Sequence, residues 1–431
     1  MKLAVIGAGW AGLSAAVTAT GAGHQVTLFE ATHSLGGRAR ALPDSPHLRL
    51  PDGSHAPLDN GQHILIGAYT DTLRLMRQVG IAPEAALLNM PMTLQFPDGQ
   101  GLKFADLPTP LDALGGIVQA RGWSLADKWS LICAALGWQL KGFICADALS
   151  VAELCRGLTT KVQTELIEPL CVSALNTPPG QASAQVFLRV LRDALFGVQG
   201  GSRLLLPRVD LSALFPDAAA SWVQEHGGQL RLGQRVGTLQ PHGTQWLVQG
   251  EPFDAVILAT TAPHAALILN ASVKEAAAPV TESVRRWIDS CLALQYEAIT
   301  TVYAWAPQAT LTEAMLALRS SAQFPAQFVF DRGQLGGPAG LLAFVVSAAQ
   351  GERVTLQAQV LAQAKTQLGL DLQAIQTVVE KRATFACTPG LQRPLPFIAP
   401  GLLACGDYVA GPYPATLEGA VRSGCAAVAL L

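Results

Sequence analysis

The sequence predicts an α/β protein in which a parallel-stranded domain is interleaved along the chain with a second, α+β domain of mixed sheet and helices. Three patterns predict it. The first thirty residues run from an apolar strand through a glycine-rich turn and a helix into a second strand. Residues 106–200 carry apolar side chains at spacings of three and four, which is typical of helices. Residues 290–350 contain runs rich in β-branched and aromatic residues, which are typical of strands.

Length and composition narrow the class of partner. The chain has 431 residues, half of them hydrophobic, which is enough for about two domains with buried cores. Only 14% of residues are charged and the formal net charge is -2, so the composition indicates neither nucleic acid nor an anionic membrane surface as partner. The eight cysteines form no C-x-x-C pair and no cluster with histidine. We therefore expect no metal site, and thiols buried as small apolar groups in a reducing compartment.

The N-terminal stretch has the order of a nucleotide-binding unit. Residues 2–6 predict a short strand, residues 7–12 form a G-x-G-x-x-G turn, and residues 10–21 have helical spacing and end in glycine. The stretch "HQVTLFE" predicts a second strand that ends at Glu30. A secretory signal is the alternative, with small residues near position 20 as the cleavage site, but strand, turn, helix and strand within thirty residues favour the nucleotide-binding reading.

Each residue of this unit has a physical task. Gly7 permits the tight turn, Gly9 lets backbone amides approach a pyrophosphate, and Gly12 lets the helix pack closely on the strand. Ala11 lies in the first turn of the helix, whose N-terminus carries partial positive charge. Glu30 is placed to accept hydrogen bonds from a ribose diol. The sequence therefore predicts a dinucleotide site.

A second glycine pair follows the acid. In "HSLGGRARAL", Gly36 and Gly37 precede Arg38 and can bring this arginine to a phosphate on the first turn. The G-x-G-x-x-G turn, the acid and "LGGRA" together resemble the N-terminal pattern of the FAD-dependent amine oxidase and carotenoid desaturase superfamily. The resemblance implies FAD as cofactor, a Rossmann-type fold for its domain, and contact of Arg38 with the FAD phosphates.

The same superfamily pattern continues in the middle of the chain. Residues 227–240, "GGQLRLGQRVGTLQ", resemble a strand pair whose valine, here Val236, covers the adenine with its backbone. Residues 253–269 resemble the strand and turn that return the chain to the FAD domain. The resemblance therefore implies that the FAD domain is assembled from distant segments.

The C-terminal segment supplies the last part of the pattern. A strand ends at Gly406 and Asp407, and a helix begins near Thr416, Leu417 and Glu418. In the superfamily, the aspartate at the position of Asp407 bonds the ribityl chain. The helix start points its dipole at the pyrimidine end of the flavin, where it favours the negative charge of the reduced form.

These segments predict a discontinuous domain division. The FAD-binding domain is expected over residues 1–75, 200–270 and 395–431, and the substrate-binding domain over residues 76–199 and 271–394. Within the substrate domain, the pattern predicts a helix over 352–370 that ends at Gly369, and strands over 290–306, 326–333 and 340–350. Five aromatic residues of its helical part are expected in the core: Trp123, Trp129, Trp138, Phe143 and Phe187.

Four segments resemble one family within the superfamily. Residues 58–80, 296–303, 381–394 and 413–424 are similar to the squalene-associated FAD-dependent desaturases, understood as hydroxysqualene dehydroxylases. The resemblance implies that a C30 isoprenoid alcohol loses its hydroxyl and receives a hydride from reduced flavin, in a long apolar tunnel. One departure is the apolar stretch at 409–411, where many relatives have a tryptophan–threonine pair.

The residues that perform the chemistry are predicted from the loop "DNGQH" and from two tyrosines. The resemblance places Asp59, Gln62 and His63 in a loop over the flavin. His63 is the first candidate for the acid or hydroxyl ligand, because an imidazole can donate near neutral pH, although it could equally brace the loop. Tyr413 and Tyr296 are further candidate donors, each of which could instead be structural.

Two other functions stay open at this stage. The first is a desaturase or amine oxidase in which oxidised flavin takes hydride from a lipophilic substrate. The second is a non-catalytic flavin-binding scaffold or lipid carrier, because glycine motifs report a cofactor and not turnover. We expect a cytoplasmic protein that contacts the inner face of a membrane through an apolar tunnel mouth, without a spanning helix. The sequence leaves the oligomeric state open.

Overall fold

The computed structural model describes residues 1–43, 48–108, 110–272 and 278–431. The strands are β1 (Lys2–Ile6), β2 (Gln25–Phe29), β3 (Leu65–Ile66), β4 (Leu87–Met90), β5 (Thr93–Gln95), β6 (Gly101–Lys103), β7 (Leu204–Pro207), β8 (Gln229–Arg231), β9 (Leu239–His242), β10 (Gln245–Val248), β11 (Glu251–Phe253), β12 (Ala255–Leu258), β13 (Tyr296–Trp305), β14 (Met315–Ala317), β15 (Phe328–Asp331), β16 (Leu341–Ser347), β17 (Gln373–Phe385), β18 (Phe397–Ala399) and β19 (Leu402–Ala404).

The helices are α1 (Trp10–Gly21), α2 (Thr70–Gln78), α3 (Pro83–Ala86), α4 (Leu111–Gln119), α5 (Leu125–Leu140), α6 (Val151–Leu154), α7 (Thr160–Val162), α8 (Glu168–Leu175), α9 (Ala184–Phe196), α10 (Leu211–Leu214), α11 (Pro216–Glu225), α12 (Ala262–Ser272), α13 (Ala278–Leu292), α14 (Arg353–Leu368) and α15 (Leu417–Val428). A π-helical turn, Gln163–Ile167, joins α7 to α8. Among the described residues, no helix combines the length and apolarity needed to cross a bilayer.

A six-stranded sheet forms the first layer, in the order β18-β19-β12-β1-β2-β8. All neighbouring pairs are parallel except β18 and β19. β1 and β12 are almost wholly buried apolar runs, as parallel strands covered on both faces are. The predicted strand–helix–strand order of the first thirty residues is confirmed. The predicted pairing of strands within residues 227–240 is wrong, because β8 joins this sheet whereas β9 pairs with β10 in a separate three-stranded sheet.

A five-stranded antiparallel sheet, β14-β15-β16-β13-β17, forms the second layer and is covered by α14. The predicted strands at 326–333 and 340–350 are confirmed, as is the helix ended by Gly369, which takes the left-handed conformation (φ +69°). The predicted strand at 290–306 begins too early, because residues 290–292 are the end of α13. The fold class predicted from the sequence is present.

The helical segment between β6 and β7 packs into the main core, to which Trp123 and Phe187 belong, and Trp138 is only partly buried against it. Trp123, Phe143 and Phe187 are buried there, as predicted. Trp129 is exposed, so its prediction as a core residue is wrong, because it lies on the outward face of α5. Among the described cysteines, five are buried, two are intermediate and Cys133 is exposed, so the prediction of buried thiols holds only in part.

Candidate functional site

A cavity of about 660 Å³ is lined by residues of both sheets, and we call it the first cavity. Four residues that follow directly, or nearly so, on strands β1, β2, β12 and β19 lie in its wall: Gly7, Glu30, Ala259 and Gly406. The carboxyl edge of a parallel sheet is where α/β proteins bind their ligands. Ile299 and Phe328 of the second sheet line the cavity as well.

The glycine turn after β1 is shaped by close backbone approach. Gly7 adopts a φ of +109°, which disfavours a side chain. A Cβ atom on Gly12 would lie 1.9 Å from the carbonyl oxygen of Gly7, so α1 contacts β1 more closely than any side chain permits. Gly7 and Gly9 lie in the cavity wall, whereas Gly12 supports the turn from behind.

The second glycine pair lies directly against the first. The N–H of Gly36 donates to the carbonyl of Ala8 at 2.9 Å, and Gly9 and Gly36 form a parallel bridge. A Cβ on Gly37 would lie 3.2 Å from the Cα of Gly9. The two turns therefore form one surface of bare backbone, which a pyrophosphate can approach without meeting a side chain.

Positive charge surrounds this surface. Trp10 and Ala11 line the cavity at the N-terminus of α1, where the first N–H groups have no partner inside the helix. Arg40 also lines the cavity; its Nη1 donates to the carbonyl of Gly37, and its buried Nε has no hydrogen-bond partner among the described residues. A buried orphan donor beside bare backbone fits an anion, so these residues suit the diphosphate of the predicted FAD.

Glu30 lies in the cavity wall where β2 ends. Its Oε2 accepts from the N–H of Ala8, and its Oε1 accepts from the N–H and hydroxyl of Thr32, all at 2.9 Å. These bonds fix the carboxylate, and a carboxylate retains further acceptor capacity for a ribose diol. Val236 is buried in the loop between β8 and β9 and lines the same cavity, as adenine contact requires.

Arg38 and Asp407 are brought together at the cavity wall. Arg38 Nη2 lies 2.5 Å from Asp407 Oδ1, and Arg38 Nη1 donates to the carbonyl of Ala383 at 2.6 Å. Gly406 precedes Asp407, and its N–H donates to Ser423 Oγ at 3.0 Å. The two predicted cofactor contacts thus form one ion pair at the wall, within which phosphate and ribityl groups find both a donor and an acceptor.

The three cofactor contacts predicted at the start of α15 do not all lie at the first cavity. Thr416 caps the helix, with its Oγ1 accepting from the N–H of Gly419 at 3.0 Å, and both Thr416 and Leu417 line the first cavity. Glu418 does not: its buried carboxylate accepts from the N–H of Asp71 at 3.1 Å and from the N–H of Thr72 at 2.9 Å. The side chain of Glu418 therefore caps α2, and contact of this residue with the cofactor stays a prediction.

Asp59 lies behind the cavity and not in its lining. Its Oδ1 accepts from the N–H of Leu211 at 2.8 Å, and its Oδ2 lies 3.9 Å from Arg332 Nη2. Desolvation raises the pKa of Asp59 to about 6, against the lowering by the Leu211 bond and Arg332. Its carboxylate braces α10 in this position, and the catalytic role predicted for Asp59 stays a prediction.

Gln62 and His63 do line the first cavity, as predicted from "DNGQH". Gln62 Oε1 accepts from Arg332 Nη1 at 3.2 Å, which fixes its amide. His63 Nδ1 lies 3.1 Å from the carbonyl of Gly61, and because a carbonyl only accepts, Nδ1 carries the proton. Desolvation lowers the pKa of His63, so at neutral pH the ring is uncharged and its Nε2 is an acceptor. His63 is therefore poorly suited to donate a proton.

A second cavity, of about 440 Å³, adjoins the first. Tyr69, Thr416 and Phe328 are among the residues that line both, so the two cavities share part of their wall. Its wall is mainly leucine, isoleucine, valine and phenylalanine from α4, α5 and α9. Such a space suits a long hydrocarbon.

Tyr413 brings a polar group into the wall of this second cavity. Its hydroxyl donates to Asp193 Oδ2 at 2.5 Å, and Arg189 Nε donates to the same oxygen at 2.9 Å. The guanidinium groups of Arg189 and Arg422 lie 5.3 and 5.0 Å from the centre of the Tyr413 ring. Desolvation and the bond to Asp193 raise the pKa of Tyr413, so the phenol keeps its proton at neutral pH.

Several residues of the site were missed from the sequence. Arg40 had a visible signal, as the second arginine of "GGRAR", whereas Asp193 and Arg189 lie in an ordinary amphipathic helix with no local signal.

Tyr296 is not among the described residues that line either cavity; its hydroxyl is buried without a partner, and desolvation raises its pKa to about 12. No group of three potential metal ligands occurs among the described residues.

Comparison with known proteins agrees with this geometry. The sequence model of a family described as flavin containing amine oxidoreductase matches residues 10–431. The chain is 28% identical to a hydroxysqualene dehydroxylase from Rhodopseudomonas palustris, over 97% of this chain and 96% of that protein. It is 27% identical to another from Sinorhizobium fredii, over 97% and 95%. The crystal structure of an oxidoreductase from Methanosarcina mazei has a TM-score of 0.72 at 17% identity, covering 100% of both chains.

Proposed function

The chain belongs to the flavin-containing amine oxidoreductase family and is an FAD-dependent oxidoreductase; we propose that it removes the hydroxyl of hydroxysqualene to give squalene and water. Bound FAD in its reduced form supplies the hydride, which provides the two electrons and the hydrogen of the new C–H bond. The hydroxyl leaves as water, which requires one proton from the protein. The names of the two dehydroxylase relatives support the substrate class.

The observation that carries the proposal is a polar cluster in the wall of a mainly apolar cavity that shares wall residues with the first cavity. Tyr413, Asp193 and Thr416 line the second cavity together with leucine and phenylalanine side chains, and Thr416 also lines the first cavity. A C30 chain with a single hydroxyl needs this distribution: a long apolar wall for the hydrocarbon and a donor near the cofactor for the oxygen.

Tyr413 is the proton donor in this proposal. Asp193 and Arg189 hold its hydroxyl in place, and the raised pKa keeps the proton on Oη at rest. When substrate is bound, the O–H turns from Asp193 Oδ2 to the leaving oxygen and gives it the proton. The guanidinium groups of Arg189 and Arg422 then offset the repulsion between the phenolate that remains and the Asp193 carboxylate. His63, with an unprotonated Nε2, serves as an acceptor that positions the substrate hydroxyl.

The loop and cofactor residues position and shield the reaction. In this proposal Arg38 and Arg40 hold the cofactor phosphates by charge and Asp407 accepts hydrogen bonds from the ribityl chain, while Gln62 is fixed by Arg332 in the first cavity. A C30 hydrocarbon partitions into lipid, so the proposal includes action at the inner face of a membrane. The domain division predicted from the sequence, with the FAD domain over 1–75, 200–270 and 395–431, is kept as part of this proposal.

The reaction is tested with anaerobically reduced holoenzyme and hydroxysqualene in detergent. We expect squalene in a one-to-one ratio with flavin reoxidised. Tyr413→Phe should lower kcat by about a hundredfold or more, because a general acid contributes at least that much. Tyr408→Phe is the matched control, since the Tyr408 hydroxyl is buried without a partner among the described residues.

Two results would contradict the proposal. Oxidised enzyme that takes hydride from a lipophilic substrate, with no squalene formed by the reduced enzyme, would assign a desaturase or amine oxidase direction. Full dehydroxylation by Tyr413→Phe would remove this tyrosine from the mechanism and leave the substrate assignment intact, because product identity and donor identity are read separately.

A further inference from the structure

Helix α5 turns a row of apolar side chains toward solvent. Leu125, Trp129, Cys133, Leu136 and Leu140 follow one another at spacings of four, four, three and four residues, which places them on one face. The exposed fractions of the Leu125, Trp129 and Leu140 side chains are 85%, 67% and 88%. An apolar helix face is ordinarily packed on a core, so this one is built for a partner.

The apolar row continues onto neighbouring segments. Lys128 Nζ donates to the carbonyl of Val118 at 2.6 Å and joins α4 to α5, while the rings of Phe143 and Phe196 lie 5.3 Å apart and join the end of α5 to α9. The exposed apolar residues of these segments are Leu107, Leu111, Leu114, Val118, Ile144, Phe196 and Val198. Together with the row on α5 they form what we call the apolar face.

The second cavity opens onto this face. Leu111, Leu114, Leu136 and Phe196 are exposed to solvent and also line the cavity. A side chain that does both lies at the mouth of the cavity. The apolar face and the proposed hydrocarbon site are therefore one continuous apolar surface.

Charge on and beside the apolar face is mainly positive. Arg121, Lys128, Lys141 and Arg192 reach solvent there. Two exposed acids flank the face, Asp106, which pairs with Arg203 at 3.0 Å, and Asp147. The two acids within residues 110–146 are buried and hydrogen-bonded: Asp112 accepts from Ser202 Oγ at 2.7 Å, and Asp127 accepts from Thr159 Oγ1 at 2.6 Å. Although the whole chain carries a net charge of -2, this surface has more positive than negative charges.

We propose that the apolar face docks on an anionic phospholipid bilayer. Leucine side chains and Trp129 enter the boundary of headgroups and acyl chains, and Arg121, Lys128 and Lys141 contact lipid phosphates. A second copy of the chain fits less well, because a symmetric dimer through this face would bring like charges together. Entry of substrate from the bilayer through the cavity mouth rests on the proposed function; docking itself does not.

The docking is tested by flotation of the holoenzyme with vesicles of phosphatidylcholine, with and without phosphatidylglycerol. Leu125→Ser, Trp129→Ser and Leu140→Ser are combined in one variant, and none of the three lines a cavity. We expect its binding to vesicles to fall by at least about a hundredfold, since each side chain loses apolar burial. The matched control combines Leu292→Ser, Val354→Ser and Leu395→Ser, three leucine or valine residues exposed elsewhere, and should bind within about twofold of wild type.

The electrostatic part has its own variant. Arg121→Gln combined with Lys141→Gln should weaken binding to vesicles containing phosphatidylglycerol by about tenfold, with little change on phosphatidylcholine alone. FAD absorbance per chain and the unfolding temperature report the integrity of every variant. A serine variant that floats like wild type would overturn the proposal. A wild-type dimer that becomes a monomer in the serine variant, with no vesicle binding by either, would assign the face to self-association instead.

Turnover separates this proposal from the proposed function. Hydroxysqualene in detergent micelles reaches the cavity without a bilayer, so the serine variant should retain its activity there. Vesicle binding that depends on the apolar face, with no squalene formed in micelles, would uphold docking and reject the substrate. Squalene formed in micelles without vesicle binding would uphold the proposed substrate and reject docking.

Discussion

The two cavities that meet at Thr416 are built in different ways. One part of the first cavity's wall is bare backbone beside charge: Gly7, Gly9 and Gly37 lie close together, with Arg38 nearby. The wall of the second is mainly apolar side chains, many of them from three helices, and its mouth is exposed. The first cavity binds its ligand largely through backbone groups, whose positions do not depend on the side chain present. The second binds through side chains, so each substitution changes its shape.

This difference separates what the fold must keep from what it can change. A glycine that touches a carbonyl oxygen has no substitute, because every other residue adds a Cβ. A leucine at a cavity mouth can be replaced by other apolar residues at small cost in stability. The same cofactor-binding cavity can therefore occur with many different substrates, while the helical wall of the second cavity sets which substrate fits.

The sharpest test of the first cavity is Gly12→Ala. The added Cβ would lie 1.9 Å from the Gly7 carbonyl oxygen and 2.9 Å from the Ala259 Cβ, so α1 must move off the sheet. We expect a loss of more than about 4 kcal/mol in the free energy of unfolding and no bound flavin. Urea unfolding and the flavin absorbance of purified protein measure both.

Two glycines provide the controls. Gly21→Ala lies in the same helix, with Gln78 Nε2 at 3.4 Å as the nearest atom, and should be tolerated. Gly9→Ala meets only the Gly37 Cα, at 3.9 Å, so the apoprotein should fold while FAD affinity falls by about tenfold or more, because the methyl group enters the diphosphate surface. Normal flavin binding by Gly12→Ala would show that α1 tolerates displacement.

The cost of burying the ionised carboxylate of Asp59, behind the first cavity, can be tested through the pH dependence of stability. Its folded pKa of about 6 lies above the ordinary value of 3.8, so between these pH values the folded protein holds a proton that the unfolded chain releases. The free energy of unfolding therefore falls as pH rises from about 4 to 6. Asp59→Asn keeps an acceptor for the Leu211 N–H and does not show this fall. Its free energy of unfolding should exceed that of wild type by up to about 3 kcal/mol at pH 7 and equal it near pH 4.

The control for this pH dependence is Asp52→Asn. Hydrogen bonds from Ser54 lower the pKa of Asp52, which is exposed, so any contribution of Asp52 to stability is lost as pH falls, the opposite direction. Urea unfolding at several pH values compares each variant with wild type. A difference between Asp59→Asn and wild type that is constant with pH would contradict the desolvated carboxylate. Loss of activity in Asp59→Asn at full flavin content would support a role for Asp59 in the reaction.

The same contrast explains what the sequence could predict. The first cavity depends on local patterns: a glycine turn between strand and helix, an acid at a strand end, and a threonine before a helix, each legible within a few residues. The positions of Gly7, Arg38, Asp407 and Thr416 at the cavity wall agree with these patterns. The domain boundaries and the roles of these residues stay predictions.

The sequence predicts least where side-chain direction depends on distant packing. Glu418 begins α15 as predicted, but its carboxylate turns to α2, which is more than 340 residues earlier in the chain. Trp129 has helical spacing like a core residue, yet α5 presents it to solvent. Tyr413 is bonded to Asp193 across 220 residues. Helical periodicity defines a face without saying whether that face meets core, ligand or solvent.

The junction of the two cavities can be tested at Thr416. Its Oγ1 accepts from the N–H of Gly419, so Thr416→Ala should lower the free energy of unfolding by about 1 kcal/mol. Thr416→Ser keeps the cap, and its free energy of unfolding should stay within a few tenths of a kcal/mol of the wild-type value. Urea unfolding measures the difference, and equal stability of the alanine and serine variants would show that the cap contributes nothing.

The mouth of the second cavity should respond least in stability and most selectively in substrate binding. Leu114 lines the cavity and is 47% exposed, so Leu114→Ala should change the free energy of unfolding by less than about 0.5 kcal/mol. The KM for a C30 substrate in micelles should rise by roughly threefold to tenfold, because apolar contact with the chain is lost. The KM for a C15 analogue, too short to reach the mouth, should not change. Leu125→Ala, exposed on the same face but outside the cavity lining, should leave both KM values unchanged, and an equal rise for both substrates in Leu114→Ala would place the hydrocarbon elsewhere.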